Sequence, residues 1–405
     1  MSGWSKADAD ILVVGAGPVG MLAALLSAQQ GLSVLLLERS AERQVQSRAI
    51  GITPPSLEIF RRIGLPEAFI EHGVAVRASE IYGRRMRLGR IDFAGLKSDF
   101  RFVLSIPQHR TEFLLEEAVL AYPSIRFLRG HHVTDCSEEE GHVAVGGNIV
   151  DAGRFHFTGK YLLGCDGGKS TIREALGIPF DGAPNLYAFL MGDFEDTTGW
   201  GTQARFYFTP RGPVESFPLP GGKRRYVVRT PFFIKESDNG YLRTELLRRA
   251  GIDVGGVRQF WESGFNVHRF MARTFCKDRV FLCGDSAHLI SPIGGQNMNT
   301  GFADAELAVW LSKLLIEKRA PHPLVSRLYD RVRKRAVRAA FRRAHCLMLA
   351  GTFGGLLGSA IRNVAIFLFL HIPIRRFLVQ SISMQSIPFR NLQNCQDRYE
   401  KELKL

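Results

Sequence analysis

The chain has 405 residues, 45% hydrophobic and 23% charged, a globular balance that excludes a disordered or fibrous protein and leaves room for two or three domains. Its 6 cysteines include no CxxC pair, which argues against a disulfide scaffold or a structural zinc site. Lys and Arg number 53 against 39 Asp and Glu, a net charge of +14, so an acidic partner has to be sought: nucleic acid, a membrane surface or a polyanionic cofactor. The amino terminus, MSGWSKADAD, is polar and lacks the apolar core of a secretory signal, so a cytoplasmic setting is the expectation.

The first predicted elements form one unit. Ile11 to Val14 reads as a buried strand, Gly15-Ala16-Gly17-Pro18-Val19-Gly20 as a turn, and Met21 to Gln30 as a helix closed by Gly31. Leu32 to Leu37 reads as a second strand ending in Glu38. This is the βαβ dinucleotide fingerprint. Gly15 permits the tight turn, Gly17 lets backbone approach a pyrophosphate, and Gly20 lets the helix pack on the sheet. The helix N-terminus offers unpaired N–H groups to that pyrophosphate. Glu38 is placed to accept hydrogen bonds from ribose hydroxyls.

Further along, a helix is predicted around Ser56 to Arg62, and residues 76–105 alternate apolar and polar positions in the manner of a β-rich insertion. Pro107-Gln108-His109-Arg110-Thr111-Glu112 opens an amphipathic helix to about Ala121. Ile125 to Leu128, Val143 to Val150 and Phe155 to Leu163 read as strands, the last leading into Gly164-Cys165-Asp166-Gly167-Gly168-Lys169-Ser170. Asp166 there has an alternative role, capping the helix that follows. Residues 187–234 are strand-rich, with Phe206, Tyr207, Phe208, Phe217, Tyr226, Phe232 and Phe233 interleaved, either as sheet core or with one face lining an aromatic-substrate pocket. A third motif joins the strand Arg279 to Cys283, then Gly284-Asp285-Ser286-Ala287-His288, to a glycine-bearing loop from Ser291 to Gly301 and a helix from Phe302 to Ile316. His288 reads as a satisfied structural histidine before it reads as a base.

Taken together, these motifs resemble the class A flavoprotein monooxygenases, the p-hydroxybenzoate hydroxylase-like family, over roughly residues 10–340. The resemblance implies an α/β protein: a Rossmann-like FAD-binding domain made of residues 8–75, 105–180 and 270–340, a β-sheet substrate domain of 76–104 and 181–269, and a helical C-terminal region over 341–405. It implies FAD contacts from Gly15, Gly17, Gly20, Glu38 and Arg39, from Arg48 and Gln108, from Asp166, and from Asp285, Pro292, Gly295, Asn297, Met298 and Asn299. The activity it implies is hydroxylation or epoxidation of an electron-rich, lipophilic ring of phenol, quinolone or quinone type. NAD(P)H and O₂ are consumed, the reactive oxygen being a flavin hydroperoxide, and NADPH is slightly preferred because Arg39, Arg43 and Arg48 lie nearby. No metal is implied, and the residue that activates the ring is not motif-encoded. Rival readings are a reductase of prenyl chains and a flavin-binding protein without redox turnover. Halogenases of related fold carry WxWxIP, and here Trp4, Trp200, Trp261 and Trp310 stand isolated. The family usually has glycine at position 297. A left-handed residue is therefore expected there, asparagine being the least costly replacement, with hydrogen bonding by its amide as the alternative.

The end of the chain is basic and then apolar. Residues 318–343 carry ten Lys or Arg against one acid, Asp330, and residues 346–374 are apolar but interrupted by Arg362 and Asn363. A spanning helix is not expected. The segment either packs on the substrate domain or rests on an anionic membrane face. Nucleic acid is a poor explanation of the charge, as no recognition motif accompanies it.

Overall fold

The computed structural model describes residues 7–43, 49–83, 86–139, 141–236, 240–291, 295–352, 355–372, 375–385, 392 and 395–404. The predicted βαβ unit is its centre. Strand Ala9–Val14 runs parallel to Val34–Glu38 on one side and Gly153–Gly164 on the other. Ile125–Arg129 and Val280–Leu282 extend this parallel array at its two ends. Strands buried on both faces need continuous apolar sequence, and Ile11, Leu12, Val13 and Leu35 to Leu37 supply it. Helix Pro18–Gln29 is apolar on nearly every face because it is wedged between the sheet and the helices Gln108–Leu120 and Gln296–Ile316. Three antiparallel strands, Cys276–Lys277, His131–Glu139 and His142–Ile149, complete the eight-stranded sheet.

A second eight-stranded sheet is almost wholly antiparallel, in the order 288–289, 259–272, 180–195, 223–230, 212–219, 204–209, 78–82, 87–92. One of its faces packs Leu190, Phe194, Tyr207, Val214, Tyr226 and Val228 against helix Tyr241–Ala250. The other face carries Phe189, Met191, Val227 and Val267, and meets Met348 of helix His322–Thr352. The aromatic residues of 187–234 are thus divided: Tyr207 and Tyr226 belong to the first face, Phe217 to the second, and Phe232 and Phe233 are exposed. A small sheet of 51–52, 103–105 and 74–76 lies between the two large ones. The architecture is the α/β arrangement expected, with helices following residue 322. Strand Gln259–Ala272 has no counterpart in the sequence reading, and the Gln296–Ile316 helix starts six residues before Phe302, directly after Gly295 with φ 64°.

Helix His322–Thr352 buries Val325, Leu328, Val332 and Ala336 and turns Arg327, Arg331, Arg335, Arg338 and Arg342 outward. Helix Leu356–His371 is inverted relative to an ordinary surface helix. Ser359 and Arg362 are buried, while Ile361, Val364 and Leu368 are each more than half exposed. Among the described residues no helix is long and apolar enough to cross a membrane.

Candidate dinucleotide site

The three glycine turns meet at the carboxyl ends of the parallel strands. Cys165 N donates to Val14 O at 2.8 Å and Cys283 N to Gly164 O at 2.9 Å, so the turns leave adjacent strands side by side. A Cβ on Gly15 would lie 2.4 Å from Cys165 O, and one on Gly20 would lie 1.9 Å from Gly15 O. Gly284, with φ 64°, faces Val19 of the first helix. Arg173 ties the second turn to the third, donating to Gly168 O and Ser286 O at 3.0 Å each.

Gly17 is different. A Cβ there would meet nothing within 4 Å, and its backbone opens onto a cleft of about 230 Å³ at the N-terminus of helix Pro18–Gln29. The cleft is lined by Gly15, Ala16, Glu38, Arg39, Arg43, Cys165 and Asp166, among others. Bare helix amides, a glycine without steric cover and an acid at the second strand's end form the donor set that a dinucleotide requires. Glu38 already accepts from Ala16 N at 2.8 Å and Ser40 N at 2.9 Å, one bond on each oxygen, which aims the carboxylate and leaves each oxygen a free lone pair. Arg39 is exposed at the rim. Arg43 is engaged by Glu116 at 3.0 Å and stacks on Phe113, so its charge is partly spent. Asp166 accepts from Ser170 Oγ at 2.6 Å and Ile172 N at 3.0 Å, the helix-capping alternative, and burial raises its carboxyl.

Around the third turn the structure corrects one expectation. Asn297 is not left-handed; it is the second residue of the Gln296–Ile316 helix, and Gly295 takes the positive φ. Its amide does the work: Nδ2 donates to Asp285 Oδ1 at 2.7 Å, while Oδ1 accepts from Ile290 N at 3.1 Å and faces His288 Nδ1 at 3.2 Å. Desolvation raises the Asp285 carboxyl, against the opposing pull of His288 and Asn297. His288 is fully buried, with Nε2 at 2.7 Å from Asp304 Oδ2, as a structural histidine should be. Asn299 is saturated as well, its Oδ1 accepting from Thr53 N, Thr53 Oγ1 and Ser56 Oγ and its Nδ2 donating to Gly51 O and Gly295 O. It is a pillar holding residues 51–56 against the loop. Met298 is half-buried against the core. Gln108 spans Ala49 N and Glu112. Arg48 and Pro292 lie outside the described residues.

Asp304 and Arg333 are the residues sequence reasoning missed. Asp304 receives Gly284 N at 3.0 Å, His288 and the Arg333 guanidinium, and Arg333 also donates to Thr300 O at 3.0 Å. Burial would raise the Asp304 carboxyl, but Arg333 and His288, with the bonds from His288 and Gly284, hold it below the usual range. The signal was present: both are charged residues on the apolar faces of their helices, beside Ala305 and Val332.

Fold and cleft define a dinucleotide-binding flavoprotein of the doubly wound type. A family model described as an FAD binding domain matches residues 8–344, and the chain belongs to that family. It is 29% identical over 94% of its length to rifampicin monooxygenase of Streptomyces venezuelae, of which it spans 79%. It spans 58–65% of three further curated relatives, all monooxygenases or hydroxylases by name. Among solved structures, the anhydrotetracycline hydroxylase OxyS of Streptomyces rimosus is 28% identical with a TM-score of 0.76, covering 94% of this chain and 76% of that one. The p-nitrophenol 4-monooxygenase of Pseudomonas putida, 21% identical with a TM-score of 0.82 over 92% of this chain and 98% of that one, shares the fold. The chain is an FAD-dependent oxidoreductase of the monooxygenase class.

Proposed function

We propose that this chain hydroxylates an aromatic substrate of phenol, quinolone or quinone type, using NAD(P)H and O₂. The observation that carries the proposal is the meeting of three glycine turns at the carboxyl ends of adjacent strands, the first two lining one open cleft, in a chain whose relatives are monooxygenases and hydroxylases by name. Residues 8–75, 105–180 and 270–340 form the FAD-binding part, residues 76–104 and 181–269 the substrate part, and 341–405 the tail. Gly15, Ala16 and Gly17 with the first helix take the pyrophosphate, Glu38 and Arg39 the adenosine end, Asp285 the ribityl chain, and the backbone of Gly295 to Asn299 the flavin ring. Bound there, FAD supplies electron transfer from NAD(P)H and activation of O₂. The protein's own tasks are to orient the cofactor and the substrate and to exclude water from between them. NADPH is favoured over NADH by the basic rim, although the Arg43–Glu116 pair weakens that preference.

The test is direct. Purified protein incubated with FAD should turn yellow, and NADPH oxidation should accelerate when a phenol panel is added, with products one oxygen heavier by mass spectrometry. A colourless protein, or NADPH consumption indifferent to every ring offered, would defeat the reading.

A cytoplasmic location with peripheral membrane contact completes it. The inverted Leu356–His371 helix follows the outward arginine row of helix His322–Thr352, a combination suited to an anionic lipid face. Co-sedimentation with phosphatidylglycerol vesicles but not phosphatidylcholine ones, reduced by Ile361→Ser with Leu368→Ser, is the expected result.

A further inference from the structure

Strand Gly212–Leu219 carries one acid on an otherwise apolar face. Glu215 stands opposite Phe206 on one neighbouring strand and opposite Val227 on the other, and Val227 stands opposite Met191. Side chains two apart share a face, so Glu215, Phe217, Val227 and Met191 look toward helix His322–Thr352 and away from helix Tyr241–Ala250, while Phe206 on the same face packs with Ile366 and Leu370 of helix Leu356–His371. Phe206 and Phe217 meet edge to face at 5.5 Å, forming an aromatic wall directly beside the carboxyl. Glu215 is partly buried, and among the described residues its carboxyl has no hydrogen-bond or ion-pair partner. An acid in that position is costly to keep and is rarely retained without a ligand to meet it.

Its strand also reaches the flavin loop. Three residues on, Pro218 O accepts from Ser105 Oγ at 2.6 Å; Ser105 pairs with Gly51, and Gly51 O accepts from Asn299 in the third turn. At about 3.3 Å per residue, Glu215 stands roughly 10 Å along the strand from that tie. The carboxyl therefore lies on the sheet face that runs from the flavin loop to helix His322–Thr352.

We propose that Glu215 is the group that touches the substrate's ring hydroxyl and takes its proton, the residue that activates the ring. This rests on the monooxygenase reading above and supplies what the motifs leave open. The balance is closed. The Glu215 carboxylate accepts the phenolic proton, leaving a phenolate whose ortho and para carbons are richer in electrons. One atom of O₂ bonds to such a carbon and the other leaves as water, with NAD(P)H giving the two electrons. Loss of the proton from that carbon restores aromaticity, and Glu215 returns its own proton to the phenolate oxygen. Burial alone pushes the carboxyl up to about 7, where a general base works best near neutral pH. The charged groups on surrounding elements are the Asp193–Arg225 pair, Lys223 and Arg229 on the same face, His109 from helix Gln108–Leu120, Arg343 from helix His322–Thr352 and Arg362 from helix Leu356–His371; none of them contributes to that rise.

The experiment uses the full FAD-loaded chain and two probes: 2-naphthol, un-ionised at neutral pH, and 4-nitrophenol, which ionises readily by itself. Product formation is followed by mass spectrometry between roughly pH 5.5 and 8.5. In the unaltered enzyme, turnover of 2-naphthol should rise with pH through a limb near the Glu215 carboxyl. Glu215→Gln should lose that limb and about 10²-fold or more in rate on 2-naphthol, yet less than about tenfold on 4-nitrophenol above neutrality. FAD content and the rate of flavin reduction should be unchanged. Glu215→Asp, the safeguard should Gln fail to fold, should keep the limb at reduced rate. A Glu215→Gln enzyme with full rate and an intact limb, or one impaired equally on both probes, overturns this proposal alone. An FAD-loaded wild type that oxidises no phenol overturns the functional reading and this proposal with it.

Discussion

Two carboxylates show how differently this chain treats charge beside its third glycine turn and on its second large sheet. Beside the turn, Asp304 is fully buried and receives Gly284 N, His288 and Arg333, which together hold it ionised. On the second sheet, Glu215 is desolvated and receives no donor among the described residues, so its carboxyl rises to about 7. A group held by several donors cannot change its proton at any pH where the protein works, and serves as a fixed anchor. A group held by none is poised to change it. Satisfied charge is concentrated beside the third glycine turn, and unsatisfied charge on the second sheet.

The largest effect should come from breaking the anchor. Asp304→Asn leaves the Arg333 guanidinium and His288 buried without their counter-charge, and removal of one partner from such a cluster costs about 3–5 kcal/mol. Urea denaturation of the FAD-free chain at neutral pH should show that loss, and FAD affinity should fall as the Gly284 turn loosens. An unchanged midpoint would mean that the cluster is not the anchor.

Glu215 should behave in the opposite sense. In the unfolded chain it ionises around 4.5, but in the folded one around 7. The folded state thus binds more protons than the unfolded state across this window, and stability falls as pH rises from 4.5 to 7. Glu215→Gln removes that penalty, so the variant should be up to about 3 kcal/mol more stable than wild type at pH 8 and equal to it near pH 4. Thermal unfolding at the two pH values decides the matter. A variant that is slower on a phenol but more stable would mark the acid as kept for function.

The glycine turn can be tested by two substitutions that differ only in what their new methyl group meets. Gly20→Ala drives a Cβ to 1.9 Å from a backbone oxygen that cannot move aside, and should cost about 1–3 kcal/mol as well as FAD affinity. Gly17→Ala meets nothing in the protein and has an ordinary φ of −71°, so stability should hold while FAD binding weakens. Isothermal titration of FAD into each variant, beside its urea midpoint, separates the two. If Gly17→Ala binds FAD normally, the pyrophosphate does not approach there.

What the sequence made legible follows the same division. Gly15 and Gly20 could be read because the backbone contacts they make admit no other residue, Gly284 because its turn takes φ 64°, and Glu38 because its distance from the turn is fixed by a short βαβ unit. Glu215 could not. Its meaning depends on Phe206, Val227 and Met191, brought beside it by strand pairings that no local pattern specifies. Arg333 likewise reaches Asp304 across 29 residues of chain. Strand Gln259–Ala272 escaped notice because its polar and apolar residues do not alternate cleanly: it pairs on both sides and is only partly buried. At position 297 the error was one of cause, since a side chain's bonding partners are invisible where its backbone angle is guessed.

Asn297 is also the link between the anchor's His288 and Asp285, and its removal should give the smallest and most selective effect. Its amide is the donor that keeps the Asp285 carboxyl from rising further, and its oxygen satisfies Ile290 N. Asn297→Gly deletes these bonds and the contact to His288 Nδ1 but leaves the contacts of Asp304 with His288, Gly284 and Arg333 in place, so the stability loss should be about 1–2 kcal/mol. Asp285 then has burial pushing its carboxyl up with one fewer group resisting. If Asp285 grips FAD as the carboxylate, the weakening of FAD affinity on acidification should set in at a higher pH in the variant than in wild type. Fluorescence titration of FAD across the acid range reads this directly. Coincident pH profiles would place Asp285 outside the cofactor's reach, whereas a shifted profile with little change in the urea midpoint would show that the anchor's order is transmitted to Asp285 through this one amide.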